Sequence, residues 1–246
     1  VRDALVALSA ASRSLSSAVL RDPALLDPLC DDEGFAHERV LSEYRDSAAA
    51  FFATADDGPG ALRRWKRREL LRIAARDLLG AADLPVVARE LAALAEVCIC
   101  RALELVAPDV RLAIIAMGKL GGRELNYASD VDVLFLHEGD GAVAERAARA
   151  VLTTMSEPTA DGIVFRTDAD LRPEGRSGPL SRTLDAYAAY YERWAQPWEF
   201  QALLKARPVA GDGDLGRRFL ELVQPVVWPE ILDPDAVRSV RAMKAR

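Results

Sequence analysis

Histidine and cysteine are scarce in this 246-residue chain, and their scarcity removes several chemistries at once. The two histidines, His37 and His137, are too few and too isolated for a zinc site or a conventional catalytic triad, and both read as structural or surface residues. Cys30, Cys98 and Cys100 form no C-x-x-C pair and have no histidine at ligand spacing. That pattern fits a reducing compartment, most simply the cytoplasm. Cys98 lies on the apolar stripe Val87, Leu91, Leu94, Cys98, Ala102, Leu105 and is expected in a helical core. A long hydrophobic run is also missing, since no uncharged stretch approaches the roughly 18 residues of a membrane span. Asp3 and Arg13 make "VRDALVALSAASRSL" a poor signal peptide. There is no basic excess: 38 acidic residues face 32 basic ones, for a net charge of −6, which argues against a broad nucleic-acid footprint. The initiator methionine is absent too, and "VRSVRAMKAR" ends the chain as unfinished helix, so a piece of a longer protein is expected.

What is present is apolar, periodic and globular in character, with half of the residues hydrophobic. Residues 1–108 read as a helical region expected to pack on a catalytic domain. "ERVLSEYRDSAAAFFATA" places Val40, Tyr44, Ala48, Phe51 and Ala55 at helical spacing, and "DDGPG" then breaks the chain before "ALRRWKRRELLRIAARDLLG". A third helix runs from Leu84 to about Val106, where Pro108 stops it. From residue 111 the pattern changes: "RLAIIAM", "SDVDVLFL" and "GIVFRTDADL" read as strands, with the helix "AVAERAARAVLTTMSE" between the last two. Beyond Pro179 come "TLDAYAAYYERWA", "PWEFQALLKA" and "GDLGRRFLELVQPVV", all helical. The fold class is therefore α+β, a small mixed sheet enclosed by helices, with a catalytic domain over 109–212 and a C-terminal helical region beginning in 213–246.

Chemistry concentrates in "ELNYASDVDVLFL", residues 124–136. Strand alternation sets Asp130, Asp132, Leu134 and Leu136 on one face and Val131, Val133 and Phe135 on the other. Two carboxylates one pleat apart repel each other unless a cation sits between them, and magnesium binds through one or two carboxylates plus substrate phosphate oxygens. In the third strand Val164, Arg166, Asp168 and Asp170 share a face, so either Asp168 or Asp170 could complete the group. Spacing alone does not choose between them. "AMGKLGGREL" follows the first strand, and Gly118, Gly121 and Gly122 would let backbone N–H groups approach phosphate closely. It is neither a Walker loop nor a dinucleotide fingerprint. A solvated strand end and an ordinary turn are the bland readings of these parts; the conjunction favours nucleotide and metal.

At this point the motifs resemble a known family. "AMGKLGGRELNYASDVDVLF", "PTADGIVFRTDADLRPEGRSGPL" and "WEFQALLKARPVAGD" are similar to three consecutive blocks of the glutamine synthetase adenylyltransferase/adenylyl-removing family, within the nucleotidyltransferase superfamily. "RRWKRRELLRIAARDL" resembles the helix that precedes them. The likeness is strong from about residue 60 to 215, and "ELNYASD" and "LRPEGRSGPL" look more like the N-terminal, deadenylylating half. The resemblance implies a nucleotidyltransferase-type sheet with Asp130, Asp132 and Asp168 as catalytic, metal-binding carboxylates, and it leaves Asp170 where a relative often carries a basic residue. It implies nucleotide or phosphate binding by Gly118, Lys119, Gly121, Gly122 and Ser129, and by Arg172, Lys205 and Arg207.

The activity so implied is phosphorolysis: phosphate attacks the AMP phosphorus of adenylylated tyrosine on glutamine synthetase, giving ADP and free tyrosine. Magnesium is the implied ion, manganese its alternative. The implied partners are glutamine synthetase, the nucleotides AMP, ADP and ATP, phosphate, and a PII-type signal protein acting through the full-length enzyme. Neither nucleic acid nor membrane is expected. Rival readings are the adenylylating half, a relative that uridylylates a signal protein, and a regulatory nucleotide-binding module; the intact Ser-Asp-x-Asp speaks against the last. The basic cluster Arg63, Arg64, Lys66, Arg67 and Arg68 is expected on a solvated or docking helix face rather than against an acidic partner. Tyr187, Tyr190, Tyr191, Trp194 and Trp198, at helical spacing, are expected in the core rather than as an adenine platform.

Overall fold

A computed structural model of the chain describes residues 1–30, 32–55, 58–229 and residue 238. It divides into two compact units whose segments interleave along the chain. The first comprises Val1–Leu105, Arg123–Ser129 and Thr153–Arg166; the second comprises Val106–Gly122, Asp130–Leu152 and Thr167–Arg246.

The first unit is helical. Its elements are α1 (Arg2–Ala11), α2 (Arg13–Arg21), a 3-10 stretch Pro23–Leu29, α3 (Asp32–Ala36), α4 (Leu41–Phe52), α5 (Gly58–Leu78) and α6 (Leu84–Val106), whose last residue is counted with the second unit. Ser12 caps α2 through its hydroxyl, which accepts from the Leu15 N–H. One apolar cluster joins Leu8, Ala18, Leu25 and Leu29 to Leu71 and Ala75 of α5. Another part of the unit is held by buried charge. Glu90 is fully buried and accepts from Arg72 at 2.7 Å, from Arg76 and from the Arg39 N–H at 2.9 Å. Beside it, Glu69 accepts from Arg39 and from Ser47, each at 2.7 Å. A buried pair adds little net stability over an apolar one, but its geometry admits few alternatives, so it fixes how α4, α5 and α6 register. Cys98 is fully buried, as its stripe predicts, and burial pushes its thiol far up.

The basic cluster of α5 does not form a solvated face. Arg63 is only 3 % exposed, and its guanidinium donates to the carbonyls of Pro59, Thr154, Glu157 and Gly162. Arg67 donates to the Asp161 carbonyl. These arginines satisfy carbonyls of the 153–166 segment, within which Thr159 and Gly162 form an isolated bridge. Arg63, Arg64 and Arg67 bind that segment within the first unit.

The second unit holds the sheet: β1 (Arg111–Ala116), β2 (Val131–Glu138), β3 (Thr167–Asp168), β4 (Ser181–Arg182) and β5 (Arg207–Gly211). Strand order is β3-β2-β1-β5, with β4 also on β2; β1 is antiparallel to β2 and β5, while β3 and β4 run parallel to β2. The helices are α7 (Gly118–Gly121), α8 (Gly141–Ser156, its last residues counted with the first unit), α9 (Leu184–Arg193), α10 (Pro197–Ala202) and α11 (Gly213–Val227). The architecture is thus mixed α+β with a small mixed sheet, as expected. Leu134 and Leu136 of β2 join Ala113, Ile115 and Met117 in a cluster with Tyr187 and Tyr191 of α9 and Leu215, Phe219 and Val223 of α11. Burial of each large side chain there contributes about 1.5–3 kcal/mol. Asp212 caps α11 by accepting from the Leu215 N–H and also takes the Arg111 guanidinium at 2.8 Å, which holds its carboxyl down to about 2.

The expected third strand, "GIVFRTDADL", shrinks to Thr167–Asp168. Gly162 closes a turn with Thr159, and the Val164 and Phe165 N–H groups both donate to the Met155 carbonyl, so the backbone upstream of Thr167 is not free for a ladder. Two strands absent from the sequence reading, β4 and β5, appear instead. The aromatic expectation also needs correction: Tyr187 and Tyr191 are core, but Trp194 and Trp198 are 69 % and 43 % exposed.

At the far end of β2, buried His137 is hydrogen-bonded through Nδ1 to Ser181 Oγ at 2.8 Å. Burial holds the imidazole below its ordinary value, against the opposing pull of Asp140 and Glu145. As pH falls, the unfolded chain, titrating near about 6.5, takes up the proton first. The histidine contribution to stability is therefore full above that pH and is lost as pH falls below it. Thermal melts between pH 7.5 and 5 should show a decline that His137→Gln, still able to bond Ser181, makes shallower; identical profiles would remove His137 from the acid sensitivity.

Candidate active site

The acidic strand edge is built by register. In the parallel pair of β2 and β3, Val131 faces Thr167 and Asp132 faces Asp168, which places the two aspartates side by side on one face. The Leu134 and Leu136 part of that face is covered by α9 and α11, whereas Asp132 and Asp168 remain half-buried and Asp130, one pleat earlier, is exposed. Burial, then the charges of Asp168 and Asp130, raise the Asp132 carboxyl above the usual range, and Lys119 only partly offsets them. Among the described residues, no group of three or more histidine, cysteine, aspartate or glutamate side chains is drawn together as a metal cage.

The glycine turn stands directly beside this edge. The Met117 N–H donates to the Asp132 carbonyl at 2.9 Å, and the chain then enters the short helical turn α7. Gly118 has a φ of +51°, and a Cβ built there would lie 2.5 Å from Asp132 Oδ2. Both conditions demand glycine. The close approach brings the turn's backbone against the carboxylate. Further along, the Gly121 N–H donates to the Met117 carbonyl and the Gly122 N–H to the Gly118 carbonyl, so these two donors are taken up inside the turn.

The remaining residues fall into different roles. Lys119, exposed on α7, projects its charge toward Asp132. Arg207 donates through Nε to the Gly121 carbonyl and through Nη2 to the Leu120 carbonyl, each at 3.4 Å, and so caps the turn's C-terminal end. Lys205 is exposed, and its carbonyl packs where a Gly121 side chain would be. Arg172 is buried and donates to the carbonyls of Ala169 and Gly178 as well as to Asp170 Oδ1. Asp170 also pairs with Arg176, and Glu174 pairs with Arg182. This chain of ion pairs folds the 169–182 loop; its signal in the sequence is the alternation of charge through "DADLRPEGRSGPLSR". Ser129 belongs to the first unit, adjacent in sequence to Asp130, and its hydroxyl donates to Asn126 Oδ1 at 2.8 Å.

These features define an α+β protein with paired carboxylates and a glycine turn at one edge of a mixed sheet. The chain belongs to the glutamate-ammonia ligase adenylyltransferase family, whose family model matches residues 2–222. It is 44 % identical over 264 aligned residues to the bifunctional glutamine synthetase adenylyltransferase/adenylyl-removing enzyme of Streptomyces coelicolor, covering 100 % of this chain and 26 % of that protein. The enzyme of the same name from Cutibacterium acnes is 44 % identical, over 93 % of this chain and 25 % of its own length. That from Mycobacterium avium is 46 % identical, over 79 % and 20 % respectively. The chain thus spans about a quarter of the length of the curated relatives it matches.

No helix among the described residues is long and apolar enough to cross a membrane.

Proposed function

We propose that the chain is a nucleotidyltransferase domain that removes AMP from an adenylylated tyrosine of glutamine synthetase by phosphorolysis. The observation that carries this reading is the register pairing of Asp132 with Asp168 beside Asp130 and the Gly118 turn. The names of the relatives, which couple adenylyl transfer and removal on glutamine synthetase, support the substrate. The N-terminal likeness of "ELNYASD" and "LRPEGRSGPL" supports removal rather than addition.

The register pair Asp132 and Asp168 offers a divalent ion two carboxylates. At Asp132 the repulsion of Asp168 and Asp130 is only partly offset by Lys119, and magnesium requires only one or two carboxylates when substrate phosphate supplies further oxygens. Asp130, Asp132 and Asp168 would hold magnesium, with manganese as the alternative, and its bound charge would offset the negative charge of the phosphoryl oxygens. In the reaction a phosphate oxygen attacks the AMP phosphorus, a new P–O bond forms, and the P–O bond to tyrosine breaks. The electron pair leaves on the phenolate, which takes up a proton; a phenol of pKa about 10 needs no strong acid to depart. Lys119 and Lys205 are suited to the phosphate charge. Arg207 and Arg172 act by holding the turn and the 169–182 loop in place.

Purified protein incubated with adenylylated glutamine synthetase, phosphate and magnesium should release ADP, and omission of either phosphate or magnesium should stop the release. ATP-dependent incorporation of AMP without ADP release from the adenylylated form would instead identify the adenylylating half. Regulation through a PII-type signal protein would involve the rest of the longer enzyme.

A further inference from the structure

The first unit contains a cavity that the proposed transfer reaction does not use. It has a volume of about 260 Å³ and adjoins a second cavity of about 380 Å³, with Lys66, Leu70 and Ile163 common to both. Every residue lining either one belongs to the first unit. Lys66 stands apart from its neighbours on α5. Arg63 donates to four carbonyls, Arg64 and Arg67 pair with Asp161, Arg68 faces Asp27, and Arg72 and Arg76 bind Glu90. The Lys66 ammonium has no carboxylate or carbonyl acceptor among the described residues. It lies 4.7 Å above the centre of the Phe165 ring, a contact that favours a cation.

We propose that this cavity is a small-anion site in which Lys66 binds the oxyanion of a phosphate- or carboxylate-bearing metabolite. The rest of the lining fits such a ligand. Arg166 and Ser129 are polar residues of the lining, while Leu70, Leu91, Tyr127 and Phe165 offer apolar and aromatic surface for a short body. Burial also lowers the Lys66 ammonium from its ordinary value. An arriving oxyanion would supply an acceptor and favour the charged form.

Binding is read without turnover, so the inference stands or falls separately from the phosphorolysis reading. The purified protein should bind inorganic phosphate, benzoate or both saturably in calorimetric titrations at constant ionic strength. Saturation by phosphate alone that Lys66→Met weakens assigns a compact oxyanion, and saturation by benzoate alone that Lys66→Met weakens assigns a carboxylate with a flat body. Lys66→Met, which preserves the volume of the stem, should weaken that binding about tenfold or more. Lys66→Arg should retain it. Absence of saturation by both probes, or equal affinity in the Lys66→Met protein, overturns the site. A second measurement uses the unaltered protein: mass-spectrometric following of amine acylation should show Lys66 protected by the same probe. An unchanged acylation rate at Lys66 under saturating probe overturns the proposal equally.

Discussion

Asp132→Asn should lower AMP release from adenylylated glutamine synthetase by about three orders of magnitude while leaving the fold intact. The substitution removes one charge from the centre of the acidic edge, where Asp168 stands opposite in register and Asp130 lies one pleat away. Asparagine keeps the size and the strand position, and the Asp132 contribution to the turn, its backbone carbonyl, is unaffected. Because the ionised carboxyl is disfavoured by burial and by both neighbours, the melting temperature of the variant should be equal to or above that of the original protein. Magnesium provides an independent readout. At a concentration one hundred times its dissociation constant an ion stabilises the folded state by about 2.7 kcal/mol, so magnesium should raise the melting temperature of the original protein and raise that of Asp132→Asn far less. Near-normal turnover in the variant, or an undiminished magnesium shift, would sink the carboxylate assignment. Asp170→Asn is the contrasting case. Asp170 is engaged by Arg172 and Arg176, so its loss should loosen the 169–182 loop without removing the magnesium shift.

The parts of this architecture that were legible in the sequence are those where one periodicity persists. Leu84–Val106 carries an unbroken helical stripe, and Arg111–Ala116 and Val131–Glu138 are apolar runs with abrupt ends, so their positions follow from local pattern. Ser181–Arg182 and Thr167–Asp168 are too short for any alternation to register, and they become strands only because β2 offers a parallel edge. Arg207–Gly211 contains a proline and a glycine, which mask it as a turn until β1 supplies a partner. Interleaved units are invisible for a related reason: linear boundaries at 108 and 212 cannot express that 123–129 and 153–166 belong with the helices. In the candidate site, alternation brings Asp130 and Asp132 together on one face, but it cannot rank Asp168 against Asp170 because both alternate alike. Register pairs Asp168 with Asp132, and ion pairing engages Asp170 with arginines. Nor can a sequence say whether a guanidinium meets a ligand or its own chain. Arg172 and Arg207 both bind carbonyls of the loop or turn they organise.

Gly121→Ala should be the most damaging single methyl group added to the sheet unit. The constraint is proximity. A Cβ at Gly121 would lie 2.0 Å from the Lys205 carbonyl oxygen and 2.9 Å from that of Ala116, and backbone on both sides leaves no flexible side chain to yield. Overpacking of this kind costs about 3 kcal/mol, which corresponds to a fall of roughly 6–12 °C in melting temperature for a domain of this size. Relief requires the segment before β5 to move away from the turn, and Arg207 would then lose its reach to the Leu120 and Gly121 carbonyls. The turn carrying Gly118 against Asp132 would lose that cap, so activity should fall even at temperatures where the variant remains folded. Gly213→Ala supplies the control within the same unit. Nothing lies within 4 Å of a Cβ at Gly213, at the start of α11, and restriction of the unfolded chain should leave the protein unchanged or up to about 1 kcal/mol more stable. Equal melting temperatures for the two alanine variants would show that the Lys205 carbonyl does not rest on Gly121, and the proposed linkage between the 205–207 segment and the glycine turn would fail with it.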